Sequence, residues 1–368
     1  MQSPLISLAT PGAQSLRPYE PGMPIEELER EYGVTNSIKL ASNENPLGAG
    51  AKALAALSRD LTNIHLYPDG NGFALKQSLA QHLGVAAEQI TLGNGSNDVL
   101  DLVARAYANH EHEIVYSAYS FVVYALATQA VGARAVITEA RGYGHDLAAM
   151  AAAVTAATRV IYVANPNNPT GTWNSAEEVR ALLEAVPKHV IVVIDEAYCE
   201  YVSQPSYPNC LGWLAEFDNL MVTRTFSKIH GLAGIRVGYG VSHRDVADVL
   251  NRVRQPFNVS SPALRAALAA LDDDEHVARS AAINQAGLAQ LTIGCERLGL
   301  NVIPSVGNFL SIDFGRDAAP IYEALLHLGV IVRPIAGYGL PHHLRVTVGR
   351  AHENARFLEA LATVLAPD

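Results

Sequence analysis

Val190-Ile191-Val192-Val193-Ile194-Asp195-Glu196-Ala197-Tyr198 joins five β-branched aliphatic residues directly to an acidic pair. A run this short and continuous fits a strand buried on both faces of a mostly parallel sheet, because alternation disappears when neither face meets water. Val160-Ile161-Tyr162-Val163 and Leu220-Met221-Val222 have the same character. Helical patterns precede them at Ala51 to Arg59, Gly72 to Leu83 and Asn97 to Ala108, the last opening on an N-cap candidate. Strands alternating with helices predict an α/β fold in which the helices are crossovers. Open sheets of this kind bind ligands beyond the carboxyl ends of their strands. The polar residues that follow each run are therefore the candidate site.

Asp195 ends the first run and Tyr198 follows three positions later. A carboxylate there can keep the ring nitrogen of a pyridine-type cofactor protonated, and a phenol nearby can donate to a phenolic oxygen; alone, such an Asp is more often a helix N-cap or a structural partner. Asn165-Pro166-Asn167-Asn168-Pro169-Thr170-Gly171 follows the strand ending near Ala164. Its prolines and glycine fix a rigid loop that leaves Asn168 able to donate. Beyond Leu220-Met221-Val222 comes Thr225-Phe226-Ser227-Lys228, then Gly231-Leu232-Ala233-Gly234-Ile235-Arg236. A free lysine amine stays protonated up to about pH 10.4 and is a poor nucleophile. Held beside hydroxyls and a second cation, an amine like Lys228 suits imine chemistry with pyridoxal phosphate. Leu92-Gly93-Asn94-Gly95-Ser96-Asn97-Asp98 places small residues at a helix start, where backbone N–H groups cradle an anion. Asp98 stands where a dinucleotide fingerprint needs its third glycine, so that motif is excluded. In Ser117-Ala118-Tyr119-Ser120-Phe121, Tyr119 or Phe121 offers a ring for stacking.

With 368 residues, one large and one smaller domain are expected. An arm over 1–35, a large domain over 36–255 and a small α+β domain over 256–368 follow from the proline-rich start and from a change of pattern after Pro256. That change is a long helical region at about 261–298, then strand-like Phe309 to Phe314 and Leu344 to Val348. Apolar residues at 49% and charged residues at 17% are ordinary for a soluble globular enzyme. A net charge of −10 argues against a nucleic-acid surface. Cys199, Cys210 and Cys295 form no CxxC pair, and the histidine clusters (His342-His343, His110 to His112) lack metal-site spacing, so no metal is expected. With no signal peptide at the start and no membrane span, cytoplasmic location is the expectation.

Asn168, Asp195, Tyr198, Lys228 and Arg236, in this order, resemble the fold-type-I pyridoxal-phosphate aminotransferases of class I/II, over about residues 17 to 363. The resemblance implies a large domain with a mostly parallel sheet flanked by helices, and a smaller α+β domain. It implies that Lys228 holds the cofactor aldehyde and then moves a proton between Cα and C4′. Asp195 would pair with the pyridine nitrogen, and Asn168 and Tyr198 would hold the 3-oxygen. Gly95, Ser96, Asn97, Thr225, Ser227 and Arg236 would surround the phosphate, and Tyr119 would be the stacking ring.

Arg17-Pro18-Tyr19-Glu20-Pro21-Gly22, Lys39-Leu40-Ala41-Ser42-Asn43-Glu44-Asn45-Pro46-Leu47-Gly48, Tyr67-Pro68-Asp69-Gly70, Gly337-Tyr338-Gly339-Leu340-Pro341 and Leu344-Arg345-Val346-Thr347-Val348-Gly349 narrow the likeness. They resemble the histidinol-phosphate aminotransferase branch, one departure being Ser117-Ala118-Tyr119 where Pro-Thr-Tyr is usual. That branch implies a homodimer with shared sites, Tyr67 reaching the partner's cofactor phosphate and Tyr19 the partner's substrate, and Asn43 beside the substrate. A transaminase must bind two donors in turn, here a phosphate ester and the carboxylate of glutamate. One guanidinium binds either anion, which makes Arg345 the candidate and Arg333 a second cation. An aromatic amino-acid aminotransferase and a decarboxylase of a phosphorylated amino acid share this frame. A cofactor-sensing transcription regulator would need a DNA-binding domain for which the arm has no room.

Overall fold

The structure is a computed structural model that describes residues 5–18 and 22–366. Seven strands form its main sheet: β1 (Ile90–Gly93), β2 (Glu113–Ser117), β3 (Arg134–Thr138), β4 (Thr158–Ala164), β5 (Ile191–Asp195), β6 (Leu220–Thr225) and β7 (Gly238–Ser242). Their order is β1-β7-β6-β5-β4-β2-β3. Pairing is parallel from β6 through β3, and β7 runs antiparallel to both its neighbours. Successive side chains of a strand point to opposite faces. Val192 and Ile194 of β5 therefore join one apolar core, while Ile191 and Val193 join the other. Two cores on two faces explain why the run shows no alternation. Helix α1 (Ser96–Tyr107) follows β1, and α2 (Val122–Ala130) follows β2.

A second, antiparallel sheet is built from β8 (Asn301–Ile303), β9 (Phe309–Asp313), β10 (Arg333–Pro334) and β11 (His343–Thr347), in the order β8-β9-β11-β10. Its core joins Leu310, Ile312, Leu344 and Val346 to Leu291 and Cys295 of α3 (Asp274–Arg297) and to Phe357 and Leu361 of the closing helix Ala351–Leu365.

Packing divides the chain differently from the expected boundaries. The helical region after Pro256 is two helices, Ser261–Leu271 and α3, interrupted at Asp272-Asp273. The first belongs to the large core through Ala263, Ala266, Ala267 and Ala270, so the break falls near 272–274 rather than at 256. The helix Ile25–Tyr32 is likewise no free arm. It buries Leu28 against Ala41, Leu326 and Ile331 of the small body, because its single apolar stripe needs a partner. Ile38–Lys39 then pairs in parallel with Val330–Ile331, which attaches residues 25–41 to the small body.

Candidate active site

Asp195 closes β5 at the carboxyl edge of the sheet and is 4% exposed. Thr223 of β6 donates to its Oδ1 at 2.9 Å, and Tyr124 of α2 donates to its Oδ2 at 3.1 Å. Burial pushes this carboxyl up to about 6, against the hydrogen bonds from Thr223, Tyr124 and the Ala197 N–H. Tyr198 is also buried, and burial pushes its phenol up to about 12, opposed by the Arg345 charge. Its oxygen accepts from Asn43 Nδ2 at 3.0 Å and from Asn168 Nδ2 at 3.3 Å. A phenolic oxygen has two acceptor positions and one proton to give. With both acceptor positions filled, Tyr198 acts toward the cavity it lines as a donor.

Lys228 stands between these groups and an anion cradle. Its Nζ lies 5.6 Å from the centre of the Tyr198 ring and donates to the Ser42 carbonyl at 3.4 Å. Burial pulls the amine down to about 8, helped by the Arg345 and Arg236 charges and opposed by Glu44 and Asp195. The cradle is backbone at the start of α1 plus the loop after β6. Gly95, the N-cap of α1, has φ +83°, and a Cβ there would meet Arg236 Nη2 at 2.3 Å. Gly238 of β7 is as tightly placed, since a Cβ would sit 2.4 Å from the Ser96 nitrogen. These two glycines let strand, helix start and guanidinium converge. Arg236, itself at φ +56°, donates to Ser227 Oγ at 3.2 Å and to the Ala233 carbonyl at 2.9 Å. Thr225 Oγ1 donates to Ser227 Oγ at 3.0 Å.

Arg345 comes from the other sheet and is 6% exposed. It donates to Asn168 Oδ1 at 2.5 Å and to the Ala41 carbonyl at 2.7 Å, and its guanidinium lies 5.4 Å from the Phe309 ring centre. Asn168 thus passes a hydrogen-bond chain from Arg345 to Tyr198 across the two bodies. Arg333 is directly opposite Arg345 in the antiparallel ladder, so both side chains leave the same face. Both line the cavity.

That cavity, about 250 Å³, is also lined by Ser96, Asn97, Asn168, Asp195, Tyr198, Thr225, Ser227, Lys228, Arg236 and Asn43. Asn43 adopts φ +54° there, held by Thr347 and Asn308. Three expected residues fall elsewhere. Tyr119 is outside the cavity wall, with its ring 6.0 Å from that of Tyr143; Phe121, the N-cap of α2, lines the wall instead. Tyr119 itself takes φ +56° just ahead of α2. Tyr67 is 83% exposed and stacks on Phe257 at 4.8 Å, outside its own chain's cavity. Tyr19 lies outside the described residues, although nearby Gly22 lines this chain's own cavity. Tyr124, Thr223, Ser42, Glu44 and Tyr338 are site residues that the sequence reading did not single out.

Pyridoxal phosphate fits this set of groups: an anion cradle kept open by a glycine, an amine held near neutrality, and a buried carboxylate on one cavity wall. Comparison with known proteins agrees. The family model for aminotransferase class I and II matches residues 35–361. The chain is 57% identical to histidinol-phosphate aminotransferase 1 of Nitrosococcus oceani, over 99% of this chain and 98% of that protein. It is 56% identical to histidinol-phosphate aminotransferase 2 of Pseudomonas aeruginosa over the whole of both. The crystal structure of histidinol-phosphate aminotransferase from Sinorhizobium meliloti in complex with pyridoxal-5′-phosphate superposes with a TM-score of 0.90 at 30% identity, covering 97% of each chain. Thermus thermophilus aspartate aminotransferase with maleate shares the fold, at a TM-score of 0.84 and 22% identity over 97% of this chain and 99% of that one.

Proposed function

The chain belongs to the class I and II aminotransferase family, and from that premise we propose that it moves the amino group between L-histidinol phosphate and 2-oxoglutarate in histidine biosynthesis. The observation that carries the substrate choice is the in-register pair Arg333 and Arg345 on one face of the small sheet. Like charges directly opposite one another are destabilising in a sheet. A doubly charged phosphate ester uses both, and a carboxylate at the same place uses the bidentate fork of one.

Bound in the cavity, pyridoxal phosphate supplies an aldehyde for an amine and a ring that withdraws electrons. Ser96, Asn97, Thr225, Ser227 and Arg236 would hold the phosphate, with Gly95 giving the space. Asp195 in its ionised form would hold the ring N–H. Tyr198 would donate its remaining proton to the ring oxygen, together with Asn168. Lys228 would be the amine that holds the aldehyde and, when free, the base whose Nζ carries the substrate's Cα proton. Phe121 supplies the flat wall. Asn43 keeps Tyr198 aligned next to the substrate.

A homodimer is part of this reading. Ile64, Leu66, Tyr67 and Phe73 are each at least 59% exposed, and Phe257 is 46% exposed, an apolar group that a partner subunit would cover. Tyr67 would then act across the interface on the partner's phosphate site, and Tyr19 on the partner's substrate. Cytoplasmic location belongs to the same proposal; among the described residues no helix is long and apolar enough to cross a membrane.

The test is a paired half-reaction assay. The pyridoxal form is mixed with L-histidinol phosphate or with L-phenylalanine, and its conversion to the pyridoxamine form is followed by absorbance. A preference of a hundredfold, about 2.7 kcal/mol in the transition state, is expected for the phosphate ester. Equal or reversed rates would make the protein an aromatic transaminase on the same frame.

A further inference from the structure

Tyr124 and Thr223 have no place in the chemistry described above, yet both end on the Asp195 carboxylate. Tyr124 is completely buried in α2, where a core position would ordinarily be aliphatic. Its ring is held on both sides. It stacks on Tyr162 of β4 with centroids 4.7 Å apart and planes 5° from parallel, and Phe121 meets it edge-on at 5.9 Å. Tyr162 is itself anchored, since its hydroxyl donates to the Leu100 carbonyl of α1 at 2.8 Å. The Tyr124 hydroxyl therefore reaches Asp195 Oδ2 from a ring that is fixed before any ligand arrives.

A carboxylate offers about four acceptor positions on its two oxygens. The protein uses three of them: the Thr223 hydroxyl on Oδ1, the Tyr124 hydroxyl on Oδ2, and the Ala197 N–H. One is left, and Asp195 lines the cavity. Hydrogen bonds to the charged form also favour it over the neutral acid, which burial would otherwise favour. We propose that Tyr124, with Thr223, is a positioning residue of the reaction, fixing the Asp195 carboxylate so that its one remaining acceptor position meets the cofactor's ring N–H. Phe121 links this support to the cavity wall, because the same side chain lines the cavity and packs on Tyr124. The inference rests on the aminotransferase reading and deepens it.

The experiment compares wild type and Tyr124→Phe as apoproteins titrated with pyridoxal phosphate, and with the analogue in which carbon replaces the ring nitrogen. Hydrogen bonds to charged groups have free energies that correspond to a factor of about ten or more in affinity. Tyr124→Phe is expected to bind pyridoxal phosphate about tenfold more weakly than wild type and to match wild type for the carbon analogue. Thr223→Val is expected to behave in the same way, with Thr223→Ser restoring affinity because it returns the donor. Should Tyr124→Phe not fold, the Thr223 pair decides the matter alone. Undiminished affinity for pyridoxal phosphate overturns the proposal, and so does an equal loss for both ligands, which a merely structural role would give. Wild type failing to bind pyridoxal phosphate would instead sink the aminotransferase reading.

Discussion

The two anion-handling ends of the cavity are built by opposite means. At the cradle, backbone dominates: the start of α1, two glycines without room for a Cβ, and a loop that folds Arg236 against Ser227. At the other end, two strand arginines stand side by side on the small sheet, and Arg345 is held by Asn168 and the Ala41 carbonyl. A backbone cradle fixes one shape and suits an anion that stays. A pair of guanidiniums fixes charge and direction but not shape, and suits anions that alternate. Lys228 stands between them and is depressed by the charge of each. On the proposed assignment, the cofactor has the rigid site and the two substrates share the tolerant one.

The largest expected effect lies at the centre, where neither end can compensate. On the proposed assignment, Lys228→Ala removes both the aldehyde-holding amine and the proton carrier. Turnover should fall by about 10⁴-fold, the upper range for a positioned acid–base group, and the absorbance of the lysine-bound cofactor should vanish. Substantial transamination by this variant would show that the amine has been misassigned. Next comes Arg345→Ala, which tests the tolerant end. Both half-reactions, with histidinol phosphate and with glutamate, should slow by about ten- to a hundredfold, as loss of hydrogen bonds to charged groups implies. A loss confined to glutamate would assign the phosphate ester to Arg333 and break the idea of a shared site. Gly95→Ala tests the rigid end. An alanine at φ +83° costs about 1–2 kcal/mol, and its Cβ collides with Arg236 Nη2. Cofactor affinity should drop by roughly tenfold, while the preference between the two amino donors stays as it was; a changed preference would mean that the ends are not separate.

The rigid end was the more legible in sequence. Gly95-Ser96-Asn97, Asp195 and Thr225 to Lys228 all follow apolar runs, and local composition is enough to mark a strand end with a small-residue turn. β7 was not legible, because Gly238-Tyr239-Gly240 reads as a loop. It becomes a strand through pairing with β1 and β6, and its glycines answer a steric need that only the fold creates. Tyr124 was invisible for a related reason. Helical periodicity predicts that it is buried, but not that its hydroxyl reaches a strand end 71 positions away. Tyr119 takes φ +56°, an angle that no propensity assigns to tyrosine, and Phe121 lines the cavity two positions on. The domain boundary moved because Ser261–Leu271 and α3 are both helical. Which core each joins depends on partners distant in sequence.

The smallest expected effect couples the two ends through the amine. A protonated lysine is no nucleophile, so capture of the aldehyde by apoprotein should accelerate as pH rises through the Lys228 midpoint of about 8. Arg345 and Arg236 each hold that midpoint down, since a neighbouring positive charge disfavours the ammonium form. Removing either charge should move the midpoint upward. Arg345 is the stronger of the two influences on Lys228. Arg345→Gln should therefore raise the midpoint more than Arg236→Gln, as read from stopped-flow capture rates against pH. The reverse order would place the amine under control of the cradle, and the substrate end would then bind anions without tuning the group that reacts with them.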